Sequence, residues 1–164
     1  FANGYSVLLC GRDKSRVEDL LKKHKGKTAF EHIDAENTEL MTKILKKHNI
    51  EIVVNCIEGD LNLNVLIACI NAGASCVDLD TDLDKTKKQF AMDKLFKEKN
   101  IISITGCGSV PGIGNVMLRY AAPKFDSFHT IDCGYDWKSN MNKFVVPFSI
   151  QTIIEEFTNP AAIV

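Results

Sequence analysis

Five short stretches of this 164-residue chain carry glycine or polar side chains suited to chemistry on a bound ligand. Gly11-Arg12-Asp13 sets a guanidinium beside a residue that has no side chain. A guanidinium grips phosphate through forked, charge-assisted hydrogen bonds, and the glycine leaves room for the ligand. A solvated arginine at a helix start would explain Arg12 equally well. Asp34-Ala35 offers one carboxylate, and Asn55-Cys56-Ile57 places an amide and a thiol after an apolar run. Asp78 leads the acidic series Asp80, Asp82 and Asp84. The last stretch, Gly106-Cys107-Gly108-Ser109-Val110-Pro111-Gly112-Ile113-Gly114-Asn115, is glycine-rich and ends on an amide that both donates and accepts.

Metal chemistry is not expected from these residues. The acidic series resembles the opening of a calcium loop, but Leu83 stands where the loop needs glycine and Gln89 where it needs a bidentate glutamate. None of the six cysteines has C-x-x-C spacing, and no Cys/His pairs cluster, so zinc is disfavoured. Cys10, Cys56, Cys69, Cys76, Cys107 and Cys133 read as reduced thiols, which implies a cytoplasmic location. The glycine-rich stretch does not match G-x-G-x-x-G. Pro111 also removes a backbone donor where a phosphate cradle wants one, so a tight connection approaching a ligand is the better reading.

Hydrophobic periodicity shows which elements must hold these stretches. Residues 6–10 form an apolar run that stops at Gly11 and read as a buried strand. A helix follows, capped by Asp13 or Ser15, with Ser15 and Glu18 spaced as a capping box and Gly26 at its end. Residues 28–33 read as a strand, and from Asn37 a helical stripe runs through Leu40, Met41, Ile44 and Leu45. Residues 51–57 form the strongest strand, and their unbroken Ile52-Val53-Val54 core predicts burial on both faces. Helices are predicted over 61–72, 84–99 and 115–120, and strands over 76–79 and 101–105. Strand and helix alternate throughout, the pattern of a parallel sheet covered by helices on both faces. After Pro123 the pattern changes: 128–137 alternates like an antiparallel strand, 138–140 turns, and 150–157 is helical. The boundary falls near 122–127.

In an open parallel sheet, ligands bind beyond the carboxyl ends of the strands, where all five stretches lie. At the end of the second strand of a dinucleotide fold, Gly11-Arg12 suits a ribose 2′-phosphate, although Asp13 offers a rival contact to the hydroxyls. Twenty basic side chains against 21 acidic ones, with no basic block, argue against a nucleic-acid partner. No apolar run approaches the ~20 residues of a membrane span.

Taken together, these motifs resemble the saccharopine dehydrogenase family, which includes lysine dehydrogenases. The likeness is carried by Leu9-Cys10-Gly11-Arg12-Asp13, Val53-Val54-Asn55-Cys56, and Ala72-Gly73-Ala74 leading to Val77-Asp78-Leu79. The stretch from Gly106 to Asn115 and the run from Phe148 to Phe157 carry it further. The resemblance implies an oxidoreductase acting on a carbon–nitrogen bond of a small amino-acid substrate, with NADP, or else NAD, as cofactor. The fold it implies is α/β: an incomplete Rossmann-like, doubly wound parallel sheet over residues 1–122, lacking its first strand. The start of a mixed α/β substrate domain would occupy 123–164, and a homodimer is implied. Carried over by position, Gly11 and Arg12 meet the adenosine end and Asp34 lies near adenine. Asn55, Cys56 and Ile57 line the middle of the cofactor, while Asp78, Gly106, Pro111, Gly112 and Asn115 lie near the nicotinamide and substrate. No catalytic base is assigned. The first strand and its G-x-G-x-x-G turn are absent, and the first four residues read as a helix tail with Gly4 as its cap. The slot left between the strands at 6–10 and 52–57 is expected to be filled by further polypeptide. A non-catalytic dinucleotide sensor or scaffold of the same fold is the alternative. A flavodoxin-like receiver fits less well, since no acidic pair ends the first strand.

Overall fold

The structure, a computed structural model, describes residues 4–57 and 59–134, together with Ile150, Ile154, Phe157 and Thr158. The chain divides into two compact units, Phe1–Phe125 and Asp126–Val164.

In the first unit, β1 (Val7–Gly11) pairs in parallel with β2 (Thr28–His32), in register from Val7 opposite Thr28 to Gly11 opposite His32. Between them, Asp13 stops the strand and starts a 3-10 turn over Lys14–Val17. Its Oδ1 accepts from the Ser15 N–H at 2.9 Å and from the Ser15 hydroxyl at 2.7 Å. Ser15 therefore donates to the cap and does not act as a capping box with Glu18. The helix α1 (Glu18–Lys23) follows. Asn37 caps α2 (Thr38–Lys47), accepting from the Leu40 N–H at 2.9 Å, and the helix turns Met41, Ile44 and Leu45 inward.

A second parallel sheet has the order β3 (Ile52–Asn55), β4 (Ser75–Asp78), β5 (Ser103–Ile104). The helix α3 (Asn62–Ala72) joins β3 to β4 and is closed by Gly73, whose φ of +77° is the left-handed conformation that glycine adopts freely. Leu66, Ala68 and Cys69 on α3 are fully buried against Met41, Ile44 and Leu45 of α2, and Leu8 and Val53 pack onto the same cluster. Burial of a leucine such as Leu66 contributes ~1.5–3 kcal/mol.

Four expectations are corrected. The predicted helix over 84–99 is two helices, α4 (Leu83–Ala91) and α5 (Asp93–Glu98). The Met92 N–H reaches the Gln89 carbonyl three residues back, which tightens the chain and lets α5 direct Phe96 into the core. Burial of β3 on both faces is not found: Val53 and Asn55 turn inward, whereas Ile52 and Val54 are 63% and 68% exposed. Their face continues across the sheet to Ile102 and Ile104, both also exposed, and no described helix covers it. Residues 128–134 form no strand, while 135–137 and the turn at 138–140 lie outside the described residues. The helix expected over 115–120 begins two residues earlier, as α6 (Ile113–Ala121). Gly4 has the left-handed φ of a cap at +84°, the preceding residues lying outside the described set. Ile150, Ile154, Phe157 and Thr158 are helical, and the Thr158 hydroxyl donates to the Ile154 carbonyl at 2.8 Å. Among the described residues β1 and β3 do not pair with each other, and each keeps one unpaired edge.

Candidate functional site

The loop after β2 and the start of α3 after β3 lie side by side. The Asn64 amide in the first turn of α3 donates to the Ala35 carbonyl at 3.1 Å, which ties the loop after β2 to the region after β3.

The end of β1 opens into a cavity of about 320 Å³ lined by Cys10, Gly11, Arg12, Asp13, Arg16, Val17 and Phe30. Arg16, a residue the sequence reading passed over, stands four positions after Arg12. Arg12 is exposed and has no ion-pair partner among the described residues. Asp13 is otherwise engaged: Oδ1 takes both Ser15 bonds and Oδ2 lies 3.6 Å from Arg16 Nε. Those Ser15 bonds, with Arg16 adding less, hold its carboxyl below the ordinary aspartate value. A Cβ at Gly11 would meet nothing within 4 Å, so the space beside it is open. Two guanidiniums, an open glycine and an apolar wall of Val17 and Phe30 fit a phosphorylated ribose. Asp34 lines a separate, shallower depression of about 530 Å³ with Glu36, Asn37, Thr38 and Glu39, and its Oδ1 accepts from the Glu36 N–H at 3.0 Å.

A chain of buried polar groups organises the ends of β3 and β4. Asn55 is 3% exposed; its Nδ2 donates to Asn62 Oδ1 at 2.6 Å, and its Oδ1 accepts from the Ile57 N–H at 3.1 Å. The side chain thus shapes the turn that exposes Cys56 and Ile57, and does not itself face solvent. Asn62 in turn donates to Asp80 Oδ2 at 2.6 Å. Lys85 Nζ sits 3.6 Å from both Asp60 and Asp82. Burial alone would lower the Lys85 pKa, but the carboxylates of Asp82, Asp80 and Asp60 outweigh it and hold the ammonium above its ordinary value.

Asp78, at the end of β4, is also buried, and its carboxylate is surrounded by protein donors from Asp80, Gln89, Thr105 and Gly106. The Gly106 to Asn115 loop follows. Gly106 (φ +68°) packs closely enough that a Cβ would lie 3.3 Å from Pro111 Cγ, and Val110-Pro111 is a cis peptide. Gly112 (φ +127°) would set a Cβ 2.0 Å from the Gly108 carbonyl oxygen, so only glycine fits there. Asn115 Oδ1 accepts from the Gly112 N–H at 3.0 Å, using its side chain to start α6. Gly11, Arg12, Cys56 and Ile57 thus offer surface at the carboxyl ends, whereas Asn55 and Asp78 spend their side chains inside the fold and the exposed Asn115 spends its side-chain oxygen on the helix cap.

Besides Arg16, the residues not anticipated are Asn62, Lys85, Gln89 and Thr105. Arg16 carried a signal, its i+4 spacing from Arg12. Asn62 carried a weaker one, a polar residue opening an apolar helix. Among the described residues no cluster of His, Cys, Asp and Glu could hold a metal ion, and no helix is long and apolar enough to cross a membrane.

Known proteins are similar to this chain in sequence or in fold. The carboxynorspermidine synthase of Vibrio cholerae serotype O1 is 25% identical over 146 residues, covering 77% of this chain and 35% of the relative. The carboxyaminopropylagmatine dehydrogenase of Synechocystis sp. is 26% identical over 136 residues, covering 77% of this chain and 34% of the relative. The chain therefore spans about a third of the length of the curated relatives it matches. The solved saccharopine dehydrogenase (L-Glu forming) of Saccharomyces cerevisiae superposes with a TM-score of 0.62 at 16% identity, over 74% of this chain and 26% of that one. That match shows a shared Rossmann-like α/β fold. Residues 2–104 match the model of the saccharopine dehydrogenase NADP binding domain, and the chain belongs to that NADP-binding family.

Proposed function

We propose that residues 1–122 hold NADP across the carboxyl ends of these strands, as part of an oxidoreductase acting on a carbon–nitrogen bond of a carboxylated amine, amino acids included. Residues 123–164 would open its substrate domain, through which two copies associate. The observation that carries the reading is the cavity at the end of β1, where Arg12 has no ion-pair partner among the described residues and shares the wall with Arg16 beside open Gly11.

NADP supplies the hydride chemistry when bound. Arg12 would take the 2′-phosphate through a forked pair of donors, with Arg16 adding charge from the next turn. Asn55 fixes the turn that presents Cys56 and Ile57 to the middle of the dinucleotide. Asp34 would lie toward the adenine, and the loop from Gly106 to Asn115 would border the nicotinamide and the substrate. Support for a carboxylated amine comes from the names of the two relatives, each a carboxylated amine, and from the saccharopine dehydrogenase whose fold is shared. Saccharopine and lysine belong to the same class.

The test is a spectrophotometric screen of the full-length protein with NADP and NAD against saccharopine, lysine, carboxynorspermidine and carboxyaminopropylagmatine. A substrate-dependent rise in reduced-nicotinamide absorbance is expected with at least one of them. Tight NADP binding without turnover of any would instead favour a sensing or scaffolding role.

A further inference from the structure

We infer that Asp78, Gln89 and Thr105 form a clamp that positions the Gly106 to Asn115 loop, and that Asp78 acts through this clamp without touching cofactor or substrate. The inference rests on the proposal that this loop borders the reacting end of the cofactor.

Asp78 is 1% exposed and Gln89 5% exposed, although α4 is otherwise a polar surface helix. Asp78 Oδ1 accepts from the Asp80 N–H at 3.0 Å, the Thr105 hydroxyl at 2.9 Å and the Gly106 N–H at 3.2 Å. Gln89 Nε2 donates to Oδ2 at 3.0 Å, and the Asp78 carbonyl accepts from the Cys107 N–H at 2.8 Å. One residue therefore binds the turn after β4, the helix α4 and the first two residues of the loop. No lysine, arginine or histidine pairs with this carboxylate among the described residues, so neutral donors alone keep it in the interior. A buried carboxylate that loses such donors bears the full cost of desolvation.

Counting protons separates the clamp from a direct role. The Thr105 hydroxyl has one hydrogen and lies within bonding range of both Asp78 Oδ1 and Gln89 Oε1, which are both acceptors. In Asp78→Asn the shortage disappears. The new amide donates to Gln89 Oε1, the turned Gln89 Nε2 donates to Thr105 Oγ1, and the Thr105 hydrogen goes to the Asn oxygen. The loop amides keep their acceptor. The charge of Asp78 is thus dispensable to the clamp but would be indispensable to an acid, a base or a cation ligand.

Full-length Asp78→Asn, Gln89→Met and Thr105→Val are compared with wild type. Gln89→Met and Thr105→Val keep the side-chain volume, and a thermal melt with far-UV circular dichroism checks that each folds. Amide hydrogen exchange needs neither cofactor nor turnover. In Gln89→Met and Thr105→Val, exchange at Gly106 and Cys107 should accelerate on the order of tenfold, the equivalent of one lost hydrogen bond. Asp78→Asn should stay within about threefold of wild type, and the amides pairing β3 with β4 should not change. Turnover should follow the same order: kcat falls about tenfold in Gln89→Met and Thr105→Val and is nearly retained in Asp78→Asn, with the NADP Kd unchanged throughout. Unaltered exchange in Gln89→Met would overturn the clamp. Loss of kcat in Asp78→Asn with wild-type exchange would overturn the indirect role and return Asp78 to the substrate. If exchange behaves as expected while no carboxylated amine is turned over, the clamp stands and the proposed activity fails.

Discussion

Replacing Arg12 by alanine isolates the 2′-phosphate from the rest of the dinucleotide, because NADP and NAD differ only there. Arg12 has no competing ion pair among the described residues, so its donors are available when the ligand arrives. Arg16 is already 3.6 Å from Asp13, an exposed pair that must loosen or be shared before it helps. A charge-assisted hydrogen bond contributes ~1.5–3 kcal/mol, and tenfold in affinity is ~1.4 kcal/mol. Because Arg12 is exposed, the lower half of that range applies, which gives wild type a preference for NADP over NAD of about ten- to fortyfold. Arg12→Ala should remove most of the preference and leave the NAD Kd within about twofold. Arg16→Ala should remove less, since Arg16 is already paired with Asp13. Fluorescence titration of NADPH and NADH at low and at ~0.5 M salt provides the check, and added salt should weaken NADPH selectively. Equal affinity for both cofactors in wild type, or an unchanged ratio in Arg12→Ala, would refute the assignment.

Three other outcomes are expected. Cys56 and Cys107, both exposed at strand ends, should react readily with a maleimide and be shielded by NADP, while buried Cys69 and Cys76 stay inert until unfolding. Cys10 should lag behind them: although part of its surface meets solvent, packing around its sulfur, with Glu31 beside it, pushes the thiol up to about 11. That leaves roughly one thiolate per thousand at pH 8. Glu31 accepts from Lys47 and from His48, each at 2.7 Å, and these bonds hold its carboxyl below the ordinary value of 4.5. A depressed carboxylate stabilises above its unfolded pKa and loses that contribution as pH falls through the folded value. The melting temperature of Glu31→Gln should therefore trail wild type at pH 7, with the gap closing below pH 4.5 in pH-resolved melts. Gly112→Ala forces a methyl group to 2.0 Å from the Gly108 oxygen, so the loop must rebuild. A loss of about 1–3 kcal/mol in urea unfolding is expected, against little change for Gly11→Ala, whose added carbon meets open space.

The alternation of strand and helix was legible because apolar runs, caps and glycine stops are local signals. Asn37 marks its helix start as the sequence suggests. The break at Met92 was not, since it depends on Phe96 reaching a core built by residues far away in sequence. Ile52-Val53-Val54 misled for a related reason. An unbroken apolar run shows what a strand would tolerate on each face, but not which face a neighbour covers. Gly11-Arg12 stood out because glycine followed by arginine at a strand end is a pattern of types. Gln89 did not, because a glutamine on a polar helix looks like surface until its partner on β4 is known. Asp78 was picked out as an acid at a strand end, while the inward turn of its side chain is a tertiary fact.

Among the described residues the two half-sheets share no backbone ladder, and the first unit joins them mainly through α2 lying on α3. The spacing between the arginine cavity and the glycine loop is therefore set by side-chain packing, which is softer than a row of hydrogen bonds. A dinucleotide anchored at Arg12 and reaching the Gly106 loop would act as a cross-brace between the halves. Its binding would stiffen the cleft as well as fill it. Part of the intrinsic affinity would go into aligning the halves, and a polypeptide segment pairing with both free edges would supply that alignment in advance and tighten the cofactor.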